Sequence, residues 1–396
     1  MKKLVVITSG MYPSHGVLNL VKYISYSLIK NKTFRKKYDL KILVFDENFS
    51  LRLKKIIYNL IMVIRNLFFK EKKRIHKFAN SAAIFFKENY ELRNHIEFFS
   101  NNHIYKKLSP DLVFPLQDKI IKKKFKSLGY IFDLQHIDLP NYFGSYDIKM
   151  RNKDFRYLIK KSDGILVNSL FVKKGLLKNF DISPKKINTI PFLPYIYDTI
   201  KKKNIDIKKK YNIKNNYFLI CNHFWKHKNH ELVFKTFSQL QKIKKNLNLI
   251  CTGVTHDSRF PNYFKSLTKK YDYFLKNRKI QILDLIPRSD QLELIKNCLA
   301  MIQPSLYEGG PGGFSSYEAI CFKKKIILAD IKINKEIKYK NLFFFKNNSS
   351  KDLLKKMKII LNKNNSSKIS INLKNNQKKL GVYFLNLIDK TLNDRL

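Results

Sequence analysis

The chain has 396 residues, is 44% hydrophobic and carries a formal charge of +49, most of it lysine. That length is too great for one typical core and suits two domains, both of which the apolar content can pack. The charge excludes an acidic surface and leaves nucleic acid, an anionic membrane or a phosphorylated substrate as partner classes. The lysines are spread along the whole chain rather than gathered in one stripe, which favours a general compositional bias over a dedicated basic patch.

Cys221, Cys251, Cys298 and Cys321 are scattered without a CxxC pair, which argues against a structural zinc site and a disulfide framework and fits a reducing cytosol. The opening MKKLVVITSGMYP has too short an apolar core for a signal peptide, so Leu4 to Thr8 reads as a first strand. No stretch reaches the roughly 20 apolar residues of a transmembrane helix. The expectation is a cytoplasmic protein, soluble or peripheral on the inner face of the cell membrane.

In chain order, Leu4 to Thr8 is followed by helical periodicity from Val17 to Ile29 and a strand from Leu40 to Phe45. Between Leu53 and Phe68 apolar residues recur at the spacing of one helical face, and Lys70, Lys72, Lys73 and Arg74 follow. This segment, 51–74, reads either as a core helix with a solvated basic end or as an interfacial helix on anionic lipid. Further strands are expected at Leu112 to Pro115, Tyr130 to Phe132 and Gly164 to Asn168. After the polar gap 200–210 the rhythm restarts with Tyr217 to Cys221, Leu247 to Thr252, Ile280 to Leu283, Ala300 to Gln303 and Ile326 to Leu328. A polar stretch, Asn362 to Lys379, precedes a last helix from Leu380 to Leu392. Strands alternating with helices imply parallel sheets covered on both faces. The expected class is therefore α/β with two Rossmann-like halves, 1–197 and 198–377, a cleft between them, and a C-terminal helix, 378–396, packing back on the first half.

Chemistry is expected at Pro304 to Glu318, PSLYEGGPGGFSSYE. Gly309, Gly310, Gly312 and Gly313 free the backbone for close approach to a ligand, and Ala319-Ile320-Cys321-Phe322 looks like the start of a buried helix. A glycine loop feeding a helix N-terminus suits an anion. The competing explanation is structural: Ser315 to Glu318 fits a capping box, in which the glutamate only reaches back to a backbone N–H.

Pro304-Ser305-Leu306-Tyr307-Glu308-Gly309, with Glu318-Ala319 beyond it, resembles the signature of group 1 (GT4-like) retaining glycosyltransferases, two-domain enzymes of the GT-B fold. Phe224-Trp225-Lys226-His227-Lys228-Asn229-His230, Phe132-Asp133-Leu134-Gln135-His136 with Asn141-Tyr142-Phe143 beyond, and Val167-Asn168-Ser169 match in the expected order over most of the chain. The resemblance implies that Glu318 binds the ribose of a nucleotide-sugar donor and that Glu308 sits near the donor sugar. It implies that Lys228 holds phosphate, with His223 standing where relatives commonly have arginine, and that His136 touches the donor sugar and aligns the reacting centre. It further implies donor contacts from Gly309, Gly310, Gly312, Gly313 and Phe314, and from Gly16 in the first strand–helix loop. Relatives usually place seven residues between the two glutamates, whereas Gly309 to Tyr317 makes nine here; Val17 replaces a second glycine beside Gly16.

Glycosyl transfer builds positive charge on the sugar and negative charge on the departing diphosphate, and both must be stabilised. Lys228 and the loop amides can hold the diphosphate, so no metal and no cofactor beyond the nucleotide-diphosphate sugar co-substrate are expected. The expected partners are that donor, a glycan or lipid-linked acceptor and an anionic membrane surface, without nucleic acid. A nucleotide-sugar 2-epimerase of the same fold, a basic nucleic-acid-binding protein and an inactive scaffold are the alternatives.

Overall fold

The computed structural model describes residues 2–10, 15–45, 90–120, 123–195, 206–362 and 370–393. The basic segment 51–74 and the expected junction at 197/198 lie outside them. Seven strands, β1 (Lys3–Thr8), β2 (Tyr38–Phe45), β3 (Ile96–Phe99), β4 (Leu112–Leu116), β5 (Lys126–Tyr130), β6 (Gly164–Val167) and β7 (Ile187–Thr189), form one sheet in the order β3-β2-β1-β4-β5-β6-β7. Six more form a second: β8 (Asn216–Cys221), β9 (Leu247–Thr252), β10 (Ile280–Ile282), β11 (Ala300–Gln303), β12 (Lys325–Ala329) and β13 (Leu342–Phe345), in the order β10-β9-β8-β11-β12-β13. β1 runs parallel to β2 and β4, and β8 runs parallel to β9 and β11. Helices cover both faces, so the central strands read as unbroken apolar runs, and Val5, Val6, Ile7, Phe218, Leu219 and Ile220 are fully buried.

Both sheets step outward from their first strand, then return to continue on its other side. The order reverses between β1 and β4 and between β8 and β11. At such a reversal the connecting loops leave the strand carboxyl ends in opposite directions and open a ligand crevice. This is the fold feature that positions the site described below.

Three edge strands escape the sequence pattern: β3 and β13, with four residues each, and β7, with three. The strand expected at Tyr130 to Phe132 lies earlier, at Lys126–Tyr130. Its polar Ser127 hides the apolar run, yet Ser127 is buried because Lys123 Nζ donates to its hydroxyl (2.6 Å) and its own N–H donates to Asp163 (2.8 Å). The polar stretch before the last helix is itself partly helical, the helix spanning Leu373–Asn393. Asn372 Oδ1 accepts the Asn375 N–H (2.9 Å) and caps it.

The chain divides into two compact units. One comprises Met1–Tyr130, Tyr157–Ile165 and Lys378–Leu396; the other comprises Ile131–Arg156 and Leu166–Gln377. In the first, the C-terminal helix is held by chemistry of three kinds. Phe384 is fully buried with its ring 6.5 Å from that of Phe114. Asp389 accepts from Lys37 (3.0 Å) and Tyr38 Oη (2.5 Å). Gly381 lets the helix approach the backbone of Ser27 in helix His15–Ile29, where a Cβ would lie 2.7 Å from the carbonyl oxygen. The second unit buries one aromatic-rich cluster around Phe218, Phe224, Phe234 and Phe237 and another around Tyr217, Leu294 and Met301. No helix among the described residues is long and apolar enough to cross a membrane.

Truncating Phe384→Ala leaves a cavity in the first unit. The expected loss is about 3–5 kcal/mol of stability, read as a lowered urea midpoint with an unchanged slope.

Candidate functional site

The second unit gathers most of the expected residues at the carboxyl ends of β8 and β11, where its strand order reverses. β8 ends at Cys221, and Asn222 to Trp225 lead into a 3-10 turn, Lys226–Lys228. Asn229 then takes a left-handed conformation (φ 55°) and starts helix His230–Gln241; asparagine is among the few side chains that tolerate this region. β11 ends at Gln303, and the glycine loop runs to helix Gly313–Cys321. The two connections are tied together by the Leu306 N–H, which donates to the His227 carbonyl (2.9 Å).

Two glycines of the loop are required by its path. Gly312 caps the helix with φ +60° and hands its N–H to Asn334 Oδ1 (2.9 Å). A side chain at Gly309 would run into the Phe132 carbonyl. Segment 132–134 is thus packed against the loop, and the Leu134 N–H donates to Tyr307 Oη (2.9 Å). The first turn of helix Gly313–Cys321 has no side-chain cap. The capping-box explanation for Ser315 to Glu318 is overturned: the helix starts before Ser315, and Glu318 turns to an arginine instead.

Two ion pairs organise the site. Lys228 Nζ donates to Glu308 Oε1 (2.7 Å), both side chains being nearly buried. The same carboxylate oxygen accepts from Gln303 Nε2 (3.2 Å), which also donates to the Gly312 carbonyl (2.9 Å), while Asn222 Nδ2 donates to Gln303 Oε1. Glu318, 6% exposed, receives both terminal nitrogens of Arg288, Nη1 at 3.0 Å and Nη2 on the other carboxylate oxygen. Lys228, Glu308, Gln303, Asn222 and Gly312 therefore belong to one connected polar network, and Glu318 with Arg288 forms a second pair one helix turn beyond the glycine loop. A phosphate entering it would meet Lys228 and the uncapped helix start, and a polyol would meet the carboxylates.

His223 beside this network accepts the Val254 N–H on Nδ1 (3.0 Å). That bond leaves the ring proton on Nε2, so His223 is a neutral donor where a cation was expected from relatives. Phe314 packs edge-on against Phe192 (centroids 5.3 Å apart), and Gly310 lies near the same ring. Gly313 adjoins Gln303 and Glu308. His136 is 1% exposed, its Nε2 paired with Asn152 Oδ1 (3.1 Å) and its ring edge-on to Phe143 and Phe155. Its Nδ1 has no partner among the described residues and is the atom it can offer a ligand. Gly16 belongs to the other unit, in the first turn of helix His15–Ile29, and is exposed. Among the described residues no group of three His, Cys, Asp or Glu side chains is arranged to hold a metal ion.

Sequence reasoning missed Arg288, Gln303 and Asn222, and also a cationic cluster in which Arg151 meets Asp133 (2.5 Å) and Arg259 lies over the Phe143 ring (4.6 Å). A signal was present. The chain has only 11 arginines against 68 lysines, and arginine is the side chain that bidentate or ring-stacked recognition demands.

The model of the family glycosyl transferases group 1 matches residues 201–380. No curated protein matches the chain significantly. Among solved structures, Anabaena Alr3699/HepE in complex with UDP and glucose superimposes with a TM-score of 0.63 at 12% identity, covering 98% of this chain and 100% of that one. A mutant of S. aureus TarM in complex with Fondaparinux, alpha-GlcNAc-glycerol and UDP gives 0.61 at 14%, covering both chains in full. UDP-GlcNAc 2-epimerase from Methanocaldococcus jannaschii gives 0.53 at 17%, covering 97% of this chain and 99% of that one. At these identities the likeness shows a shared GT-B-type fold.

Burial holds His136 below the usual histidine range, His227 well below it, and pushes His230 down to about 3. Between each folded value and about 6.5 the unfolded chain binds more protons, so stability is present above that window and lost as pH falls through it. For His230, whose folded value lies far below the unfolded one, the slope approaches about 1.4 kcal/mol per pH unit inside that window. Urea midpoints at pH 7 and pH 5 check it, and His230→Phe, which keeps a ring stacked on Phe224 (4.0 Å), should flatten the dependence.

Proposed function

We propose that this chain, whose residues 201–380 match the model of the glycosyl transferases group 1, is a member of that family and moves a hexosyl group from a nucleotide-diphosphate sugar to a glycan or lipid-linked acceptor, with retention of anomeric configuration. The observation that carries this reading is the placement of Lys228, paired with Glu308, and of the buried Glu318 on the connections that leave β8 and β11, at the strand-order reversal of the six-stranded sheet. An anion-binding lysine, an uncapped helix start and a buried carboxylate able to accept hydroxyl protons are what a sugar nucleotide needs at its three parts.

In this reading Glu318 accepts from the ribose hydroxyls, while Lys228, His223 Nε2–H and the start of helix Gly313–Cys321 hold the diphosphate. The Lys228–Glu308 pair has a direct consequence for the reaction. When the diphosphate takes the ammonium, Glu308 is left beside the sugar with its charge uncompensated, favouring the cationic transition state. The bond from the anomeric carbon to the phosphate oxygen breaks, and the acceptor oxygen bonds to the same face. Its proton passes to the departing phosphate oxygen. Fixed charge and oriented amides do this work without a metal ion, and position supplies the rest. His136 aligns the donor sugar, and Gly16 is a further donor contact. The net charge of +49 supports an acceptor presented at the anionic cytoplasmic face of a membrane, in cell-surface polysaccharide synthesis.

Calorimetry with a panel of nucleotides and nucleotide sugars, without added metal, tests this for the native chain, Glu318→Ala and Lys228→Met. One nucleoside diphosphate should bind selectively. Glu318→Ala should weaken it by roughly tenfold or more, and Lys228→Met should weaken the diphosphate while leaving the bare nucleoside unchanged. Consumption of the sugar nucleotide without an acceptor, yielding its 2-epimer, would instead identify an epimerase. Absence of nucleotide binding together with steeply salt-dependent DNA or RNA binding would overturn the enzyme reading.

A further inference from the structure

We infer that Arg259 reads an anionic group, a carboxylate or a phosphate, carried by one of the two sugar substrates, the donor sugar or the acceptor. The inference rests on the proposed function and names the class of substrate that the second unit selects.

The charge balance around Arg259 points to it. The residue follows β9, in the connection to helix Tyr263–Lys270. Its carboxylate neighbour, Asp257, is buried and spends both oxygens on the backbone. Oδ1 accepts the Arg259 N–H (3.0 Å) and Oδ2 accepts the Lys226 N–H (2.8 Å). Arg259 Nε stays 3.9 Å from Oδ1, beyond hydrogen-bond length. Among the described residues its terminal nitrogens meet neutral acceptors, and at full stretch. Nη1 lies 3.4 Å from Gln135 Oε1, and Nη2 lies 3.4 Å from His227 Nδ1. His227 is kept uncharged by burial. The other two arginines of the site are already matched, Arg151 to Asp133 (2.5 Å) and Arg288 to Glu318. A guanidinium fork gains most from two coplanar oxygens of one anion, and Arg259 has that fork to offer.

The fork is also held and reachable. The guanidinium lies over the Phe143 ring (4.6 Å to its centre), which sets its plane while its N–H groups point along that plane. The side chain is 24% exposed, so a ligand reaches it from solvent. Gln135, in the same compact unit, supplies an independent sign. It is 5% exposed and its Oε1 faces Arg259, while Nε2 at the other end of the same amide has no partner among the described residues. A buried donor left unpaired costs about 1–3 kcal/mol, and an anion on the fork brings acceptor oxygens to that amide. Gln135 opens helix Gln135–Asp138 directly before His136, the residue assigned to the donor sugar. The anion is thus placed with a sugar rather than with the diphosphate.

Stacking on Phe143 alone would be a structural role, and it does not discriminate between charged and neutral substrates. The test is calorimetry on the full chain, with UDP-glucuronate against UDP-glucose and GDP-mannuronate against GDP-mannose for a donor-borne anion. Glucuronate and glucose 6-phosphate against glucose, each with saturating UDP or GDP, cover an acceptor-borne one. In one arm the native chain should prefer the anionic member by roughly tenfold or more, and that arm names the source. Arg259→Met should bring the preference close to one while UDP or GDP alone binds as it does to the native chain. Arg259→Lys, which keeps the charge without the fork, should fall between the two. Gln135→Leu should lower the preference severalfold, and it carries the test if Arg259→Met does not fold. A nucleotide-binding native chain without preference in either arm overturns the inference and leaves the transferase reading standing. So does an Arg259→Met variant that loses as much affinity for the bare diphosphate as for the anionic sugar, since the arginine then serves the diphosphate. A native chain that binds no nucleoside diphosphate overturns both.

Discussion

A carboxylate cannot be buried alone without a large desolvation cost, and the connection from β11 into helix Gly313–Cys321 buries two. Glu308 and Glu318 are 7% and 6% exposed, and each is compensated by one cation from a different segment. Lys228 comes from the turn after β8 and Arg288 from the helix after β10. These two pairings draw three connections of the six-stranded sheet onto one point. The glycine loop, the Gln303 side chain and the Gly312 cap then arrange themselves around that point. Replacing either pair by apolar groups could preserve stability, but not a site able to exchange a protein partner for a ligand.

The two pairs differ in chemistry. Lysine offers a mobile ammonium with three rotatable donors, so the Lys228–Glu308 contact fixes a charge without fixing a plane. Arginine offers a planar fork whose geometry is satisfied only by two acceptors at once. The point charge and the fork are thus assigned to the side chains suited to each, although lysine is far commoner in this chain.

Histidine has a third use. His223 is fixed as a neutral donor by the Val254 N–H, and His136 is kept uncharged by burial among aromatic rings. Neither adds a positive charge to a site that already concentrates cations. Both make hydrogen bonds as neutral rings, to the Val254 N–H and to Asn152.

Much was determined by the sequence itself. Long apolar runs separated by helical periodicity define a parallel α/β architecture, because a strand buried on both faces has no polar positions to spare. The pattern located β1, β2, β4, β6, β8, β9, β10, β11 and β12 to within a few residues. It lost the edge strands β3, β7 and β13, and it misplaced β5, whose Ser127 looks polar until Lys123 and Asp163 satisfy it. In the site, the glycines and the glutamates flanking them, Glu308 and Glu318, stood out by local spacing, whereas Lys228, one of many lysines, stood out only through the resemblance to group 1 glycosyltransferases. Only the tertiary structure decided their partners. Gln303 looked like the end of a strand, Arg288 like an ordinary helix start and Ser315–Glu318 like a cap, since a hydrogen bond across 30 residues, such as Arg288 to Glu318, leaves no periodic trace in the chain. Short-range spacing encodes where the backbone turns and which faces are apolar; the pairing of buried charges is set by which strand ends the fold brings together.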